Sequence, residues 1–448
     1  ERFAVGLWVG ASATSNTMVQ VKADLGEYRK GTPLLTQIRP LRPDERAQRM
    51  TGRVFSLGDE LVATHERRTS IYRVGADLLF ENFLGRGADL HVEGEYDHST
   101  VETTDTDGDD FTRLRIERLS YTTGGTRFEP TRFEIGRFLQ HALPELGVLD
   151  GADWSRRSAS GSSYGASVGF LPEPDVDFNS GDDLQFAAFY RWVADPTERL
   201  ALAGAFQKTF HHGDSDRDLF IGKFDYAPNA GWRFHGVAWI DMYTSGDDLK
   251  GAGAELTQAF AVASRRWESG RSLDLSYMHI AYPEIEREEL TTATFAQLAD
   301  EATDRVALSA RSPLSSRALL HGRVGAWADM DEEGADGELG LELREFVFRD
   351  SRFDLAGFTA RGKFGGVLGG RAAFDVTTRI GDLGLAYELS NHDQDGFTAD
   401  NDDLPQHRMR ASWRFAGLGE WQASAWLEAS LWDDERAASA GFFLQRSL

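Results

Sequence analysis

The sequence predicts an all-β fold: a transmembrane, antiparallel, up-and-down barrel of about 22 strands, with 18 to 22 the expected range. Three observations carry this. Apolar and polar residues alternate strictly in run after run. Leu383, Leu385, Tyr387 and Leu389 interleave with Gly384, Ala386, Glu388 and Ser390, and Met409, Ala411, Trp413 and Phe415 with Arg408, Arg410, Ser412 and Arg414. Period two places successive side chains on opposite faces of a strand, so each run has one oily and one charged face. Second, short and long connections take turns. Short ones fall at 84–87, 195–198, 227–231, 313–316, 381–382 and 416–420; long acidic ones fall at 99–110, 171–183, 243–251, 283–303, 328–335 and 391–405. Short periplasmic turns and long extracellular loops are the habit of outer-membrane barrels. Third, no run of about 18 apolar residues exists, so a membrane helix is excluded while a membrane barrel is not.

Taken in order from the C-terminus, the alternation predicts strands at 438–448, 421–431, 406–415, 383–391, 372–380, 353–361, 338–347, 317–328, 304–312, 272–282 and 253–266. It continues through 232–243, 217–226, 199–210, 184–193, 163–171, 150–157, 132–139, 111–122, 88–97 and 71–82. One more strand, near 3–13 or 18–28, makes the count even, as single-chain bacterial barrels have it. All of 1–448 is then one barrel domain. Residues 29–70, polar and broken by Pro33, Pro40 and Pro43, are expected to be disordered or folded into the lumen. Residues 284–302, rich in Glu and Ala with Phe295 and Leu298 three apart, are expected to form a helical outer loop.

Composition narrows the function. The 448 residues carry a net charge of −24, which argues against nucleic acid as a partner. Cysteine is absent, which excludes disulfides, thiolate metal sites and cysteine nucleophiles. The chain opens at Glu1 with no basic and apolar leader, and the expectation is that a signal peptide has been removed. These features point to the outer membrane of a Gram-negative bacterium, with its lipids and lipopolysaccharide as partners.

Arginines recur on the polar faces of the predicted strands: Arg113, Arg115, Arg132, Arg137, Arg344, Arg352, Arg361, Arg371, Arg379, Arg408, Arg410 and Arg414. With the oily face toward lipid these would line the pore, and a cationic ladder there would attract carboxylates. The competing use is pairing with Glu117, Glu134, Glu342, Asp354 and Asp375 to stiffen the wall. Acidic clusters at Asp105, Asp107, Asp109 and Asp110, at 393–403 and at 329–338 read first as a solvated rim. Asp105, Asp107 and Asp109 are candidate calcium ligands, without a full EF-hand loop. No cofactor is otherwise expected.

Gly161-Ser162-Ser163-Tyr164-Gly165 fits the nucleophile-elbow pattern, but it precedes a strand rather than a helix, so an enzyme is not expected. The adjacent His211 and His212 lack a foreseeable third ligand. The glycines of 362–370 lack the Lys-Ser or Lys-Thr of a P-loop and read as an outer loop. Trp192, Trp232, Trp239, Trp413, Trp421, Trp426 and Trp432 suit girdles at the lipid interfaces.

The runs FTRLRIERLSYTTGG, RFEIGRFLQ, LDGADWSRR and SSYGASVGF, within 111–171, resemble the matching stretch of the alginate-export porin family, and ADGELGLELREFVFRD (335–350) resembles a late strand of it. Two departures stand out: Phe138 follows the Gly136-Arg137 pair, and four strands lie beyond residue 380 where the family has 18 in all. The resemblance implies passage of an anionic polyuronate through an arginine-lined pore. The expected function is therefore a channel for a hydrophilic, anionic solute, with an alginate-like polysaccharide exporter first. A general diffusion or uptake porin is the alternative. A barrel holding a lipoprotein or electron carrier in its lumen is a third reading.

Overall fold

The alternating runs pair side by side into one sheet of 22 antiparallel strands that closes on itself. The structure is a computed structural model. It describes residues 41–64, 67–103, 106–173, 178–195, 197–244, 250–285, 302–329, 332–362, 365–393, 404–417, 419–432 and 435–448.

The strands are β1 Arg49–Ala63, β2 Arg67–Phe83, β3 Ala88–Thr103, β4 Thr106–Gly124, β5 Thr131–Leu139, β6 Val148–Arg157, β7 Ser163–Leu171 and β8 Asp183–Val193. They continue as β9 Leu200–His211, β10 Asp214–Asn229, β11 Trp232–Tyr243, β12 Gly253–Arg266, β13 Ser272–Ala281, β14 Ala302–Pro313 and β15 Ala318–Ala328. The last seven are β16 Glu333–Arg344, β17 Ser351–Gly362, β18 Gly365–Thr378, β19 Gly381–Asp393, β20 Leu404–Phe415, β21 Trp421–Trp432 and β22 Glu435–Ser447. Each strand pairs with its neighbours in sequence. β1 closes the ring on β22, from Arg53 opposite Ser447 to Ala63 opposite Ala437. No free edge is left in the ring. No helix among the described residues is long and apolar enough to cross a membrane.

Directly opposed residues of an antiparallel pair share a face, so the register carries one parity around the wall. Ala187 lies opposite Ser167, Ser167 opposite Asp153, and Asp153 opposite Glu134. The buried mid-wall side chains Glu134, Asp153, Gln185, Ala187, Phe189, Ala205, Gln207, Leu219 and Ile221 belong to this face. It is the crowded, concave one. The convex face presents Val74, Leu114, Leu119, Phe186, Leu202, Val324, Leu339, Leu355, Leu385 and Leu427, all exposed. An exposed oily belt of this extent is what hydrocarbon tails cover.

The structure departs from the sequence-based expectation in several places. The strand that completes the ring is β1, inside the segment 29–70; residues 49–63 and 67–70 belong to the wall instead of the lumen. Residues 3–13 and 18–28 lie outside the described residues, as do 29–40. So do 286–301, the expected helix; Glu284 and Ile285 carry no regular structure, and Ala302 begins β14. The glycines from Gly365 onward pair as strand β18 instead of forming a loop. The predicted loop 99–110 is for the most part a hairpin, with Val101 opposite Asp109. Trp239 and Trp426 share the concave face, opposite Ile221 and Gly441 respectively, and Trp432 has the same parity. Ser163 opens β7 opposite Arg157 and Arg191, with no helix after it.

Three consecutive strands are short: β5, β6 and β7 have 9, 10 and 9 residues, beside the 19 of β4. The 140–147 connection above β5 and β6 folds back onto the concave face. A 3-10 turn, Pro144–Leu146, seats Leu143 and Leu146 against Ala187, Phe189, Ala205, Leu219 and Ile221. Burying two leucines contributes about 3–6 kcal/mol. Gly147, at φ 85°, turns the chain back into β6, a conformation that suits glycine.

Candidate functional site: the arginine-bearing lumen

Each strand sets its inner side chains through register alone. Of the twelve predicted arginines, nine face the lumen: Arg113 and Arg115 from β4, Arg132 from β5, Arg344 from β16, Arg352 from β17, Arg371 from β18, and Arg408, Arg410 and Arg414 from β20. Arg137 and Arg361 lie on the opposite face by the same parity, Arg137 beside the exposed Leu119 and Arg361 opposite Gly366. Arg379 sits in the turn between β18 and β19. Those three are corrections to the expected pore lining.

Eight of the nine inward arginines meet carboxylates. Arg113 Nε donates to Asp97 at 3.0 Å, and Arg115 lies 2.5 Å from Glu117. Glu134 takes both Arg118, at 2.9 Å, and Arg132, while Arg132 also reaches Asp153 at 3.5 Å. On the far wall Arg344 holds Glu342 at 2.8 Å, Arg371 holds Glu338 at 2.8 Å and Arg408 holds Glu428 at 2.7 Å. Arg352 is 3.8 Å from Glu342 and Arg414 is 3.5 Å from Asp382. Arg410 has no carboxylate within ion-pair distance among the described residues and is exposed to the lumen. Pairing in the wall, one of the two uses weighed from sequence, thus accounts for all of the nine but Arg410.

Arg137 has a use of its own. It forms a bidentate pair with Asp150, 2.7 Å from Nε and 2.5 Å from Nη2, and its Nη1 donates to the Ile116 carbonyl at 2.9 Å. β5 ends two residues beyond it while β4 runs on, so this guanidinium satisfies the edge carbonyl that pairing abandons.

The connection over β5 and β6 is the part of the lumen that sequence reasoning missed. Lys223 of β10 holds Glu145 at 2.5 Å, Gln140 Nε2 donates to the Leu146 carbonyl at 3.0 Å, and Ser167 donates to Gln140 at 2.6 Å. Two ion-paired or hydrogen-bonded anchors and two buried leucines fix it against the β6–β11 wall, where it narrows the opening. His141, at its base, is held below the usual imidazole range, by burial first and then by the charge of Arg132, with Arg118 adding to it.

Asp107 and Asp109 belong to β4, and Asp105 lies outside the described residues. His211 bonds Asp183 at 2.8 Å and His212 lies 3.4 Å from Asp182, each histidine on its own acid.

No protein-family model and no curated protein matches this sequence. Solved structures do match its fold. The translocation pore of the P pilus usher PapC is similar at a TM-score of 0.50 and 8% identity, over 89% of this chain and 99% of that one. A BenF-like porin from Pseudomonas fluorescens Pf-5 aligns at 0.42 and 9% identity, over 90% and 98% of the two chains. OpdQ of Pseudomonas aeruginosa aligns at 0.43 and 9%, over 90% and 99%. The fold is a closed, 22-stranded transmembrane β-barrel.

Proposed function

We propose that the protein is an outer-membrane channel through which hydrophilic, anionic solutes pass, with the short turns toward the periplasm and the long loops outside. The observation that carries this is the contrast of the two faces. The convex face is oily, while the concave face bears nine of the twelve predicted arginines, among them the unpaired Arg410 and the exposed Arg414 and Arg352. A charged lining in a narrow, low-dielectric wall focuses its potential on whatever enters. The general diffusion or uptake porin fits this best. Export of an alginate-like polyuronate is the narrower form, supported by the arginine-bearing segments 111–122 and 335–350. Lipopolysaccharide and outer-membrane lipids are the partners of such a barrel.

Reconstitution in a planar bilayer tests the reading. Reversal potentials in a salt gradient should show anion preference. Arg408→Glu with Arg410→Glu should shift it toward cations; unchanged selectivity would remove both from the conduction path. A barrel that never conducts would overturn the proposal in favour of a scaffold occupied by a lipoprotein or electron carrier.

A further inference from the structure

Three aromatic side chains stand on the inner face of adjacent strands, at the seam where the barrel closes: Phe55 on β1, Phe443 on β22 and Trp426 on β21. Two of them lie flat. Phe55 is opposite Gly75, and a Cβ on that glycine would come within 2.4 Å of the ring; Trp426 is opposite Gly441, where a Cβ would come within 2.2 Å of the indole. A ring that occupies the space over a glycine has one face against the wall and the other toward the lumen. Phe443 continues the surface, with its centroid 6.3 Å from that of Phe55 and the planes 28° apart. The Trp426 Nε1 donates to Asp59 at 3.0 Å, which fixes the indole in that pose. All three are half-buried.

Polar groups frame this platform. Arg53 lies 5.8 Å from the Phe55 centroid, its Nη1 reaches Gln445 at 3.5 Å, and its Nε lies 3.5 Å from Asp77. Arg410 shares the inner face of β20, opposite Glu428 and diagonal to Trp426; Glu428 is bonded to Arg408 instead, and Arg410 forms no ion pair among the described residues. In an otherwise charged lumen, oily rings held flat and flanked by exposed guanidinium groups match one chemistry. A pyranose has an apolar C–H face, which suits the negative face of an aromatic ring, and an edge of hydroxyls and, in a uronate, a carboxylate, which suits arginine. By register the rings step diagonally across three neighbouring strands, from the level of Gln445 through Phe443 to the level of Gly441, as a chain of sugars laid along the wall would need.

We propose that Trp426, Phe443 and Phe55, with Arg410 and Arg53, form a binding track for an acidic oligosaccharide, the rings carrying the sugar faces and the guanidinium groups the carboxylates. This deepens the reading of the barrel as an anion channel and rests on it. The competing use of the rings is to support strand pairing over a glycine.

Equilibrium binding separates them, measured by calorimetry on the folded barrel in detergent micelles, so that it does not depend on conduction. The probes are trigalacturonate, maltotriose as a neutral sugar of the same ring count, and triglutamate as a charged chain without rings. Trigalacturonate should bind most tightly and triglutamate least. Trp426→Leu with Phe443→Leu should weaken both sugars about tenfold or more, and Trp426→Tyr should restore most of the loss. Arg410→Gln, exposed and without a partner in the wall, should weaken trigalacturonate about fivefold while leaving maltotriose unchanged. Equal binding of triglutamate and trigalacturonate, or sugar binding untouched by the leucine pair, would overturn the track. Should the leucine pair fail to fold, Arg410→Gln still decides, because equal losses for both sugars, or none, would refute the assignment. Anion-selective conduction with no sugar binding would sink this inference alone.

Discussion

Arginines on β4 and β5 and arginines on β16, β17 and β20 descend from the same sequence pattern, yet the barrel uses them differently. On the first wall Arg132 is 13% exposed and its partner Glu134 fully buried, with Arg113 and Arg118 at 28% and Asp97 at 7%. On the second, Arg408, Arg352, Arg344 and Arg414 are 52%, 55%, 61% and 76% exposed. The first wall lies beside the infolded 140–147 connection, which removes water and leaves acid and base to satisfy each other. The second faces open lumen, where water and salt screen the same pairs. Residue type therefore does not define a selectivity ladder; the water around it does.

The comparison breaks most readily at Glu134. Its carboxylate neutralises Arg118 and Arg132 together in a dry place. Glu134→Gln leaves two part-buried guanidinium groups underpaired around a fully buried site, and breaking a buried pair costs about 3–5 kcal/mol. Glu428→Gln removes the partner of the half-exposed Arg408 and should cost less than about 1 kcal/mol. Urea unfolding from lipid vesicles, followed by tryptophan fluorescence, measures both. Equal costs would mean that the two walls are not different environments.

The infolded connection is the next lever. Leu146→Ala withdraws a side chain from the cluster of Phe189, Leu219 and Ile221, at about 2–5 kcal/mol for a buried leucine. Much of that falls on docking of the connection, because the strands pair without it. Open-channel conductance should rise, and Lys223→Gln, which frees Glu145, should raise it less. Conductance unmoved by either substitution would place the narrowest point elsewhere.

Most of the wall was legible because alternation is a local signal and a membrane barrel needs nothing more to fix which face is which. β1 was not, since oily residues fall on both of its faces, Phe55, Leu57 and Leu61 inward and Met50, Val54 and Val62 outward. That mixture looks like noise to a pattern search. The misplaced Arg137 was avoidable: in an unbroken strand it has the opposite parity to Arg132. Arg113 and Arg118 differ by five yet share a face, because a bulge at 93/94 opposite Arg118 and Ile116 resets the count. Nothing in a linear pattern announces that. The docked connection was hidden for a related reason. Leu143 and Leu146 flank Pro144 and Glu145 as loop residues commonly do, and only three unusually short strands in succession hint that their crown turns inward.

The smallest expected effect is on pH, and it tests whether the first wall is dry. His141 has its protonated form disfavoured by burial and by the charges of Arg132 and Arg118, against a weaker opposing pull from Glu134. The docked connection thus binds fewer protons than the undocked one. Its stability is fully present above the ordinary imidazole pKa of about 6.5, and is lost as pH falls from there toward the lowered value. Conductance should therefore rise as pH is taken from about 7.5 to about 5, close to the range in which imidazole titrates. His141→Gln should flatten that rise while leaving conductance at pH 7.5 near its original value. A rise that persists in the glutamine variant would assign the titration to another group, and no rise at all in the unsubstituted protein would mean that water reaches His141, as it reaches the arginines opposite.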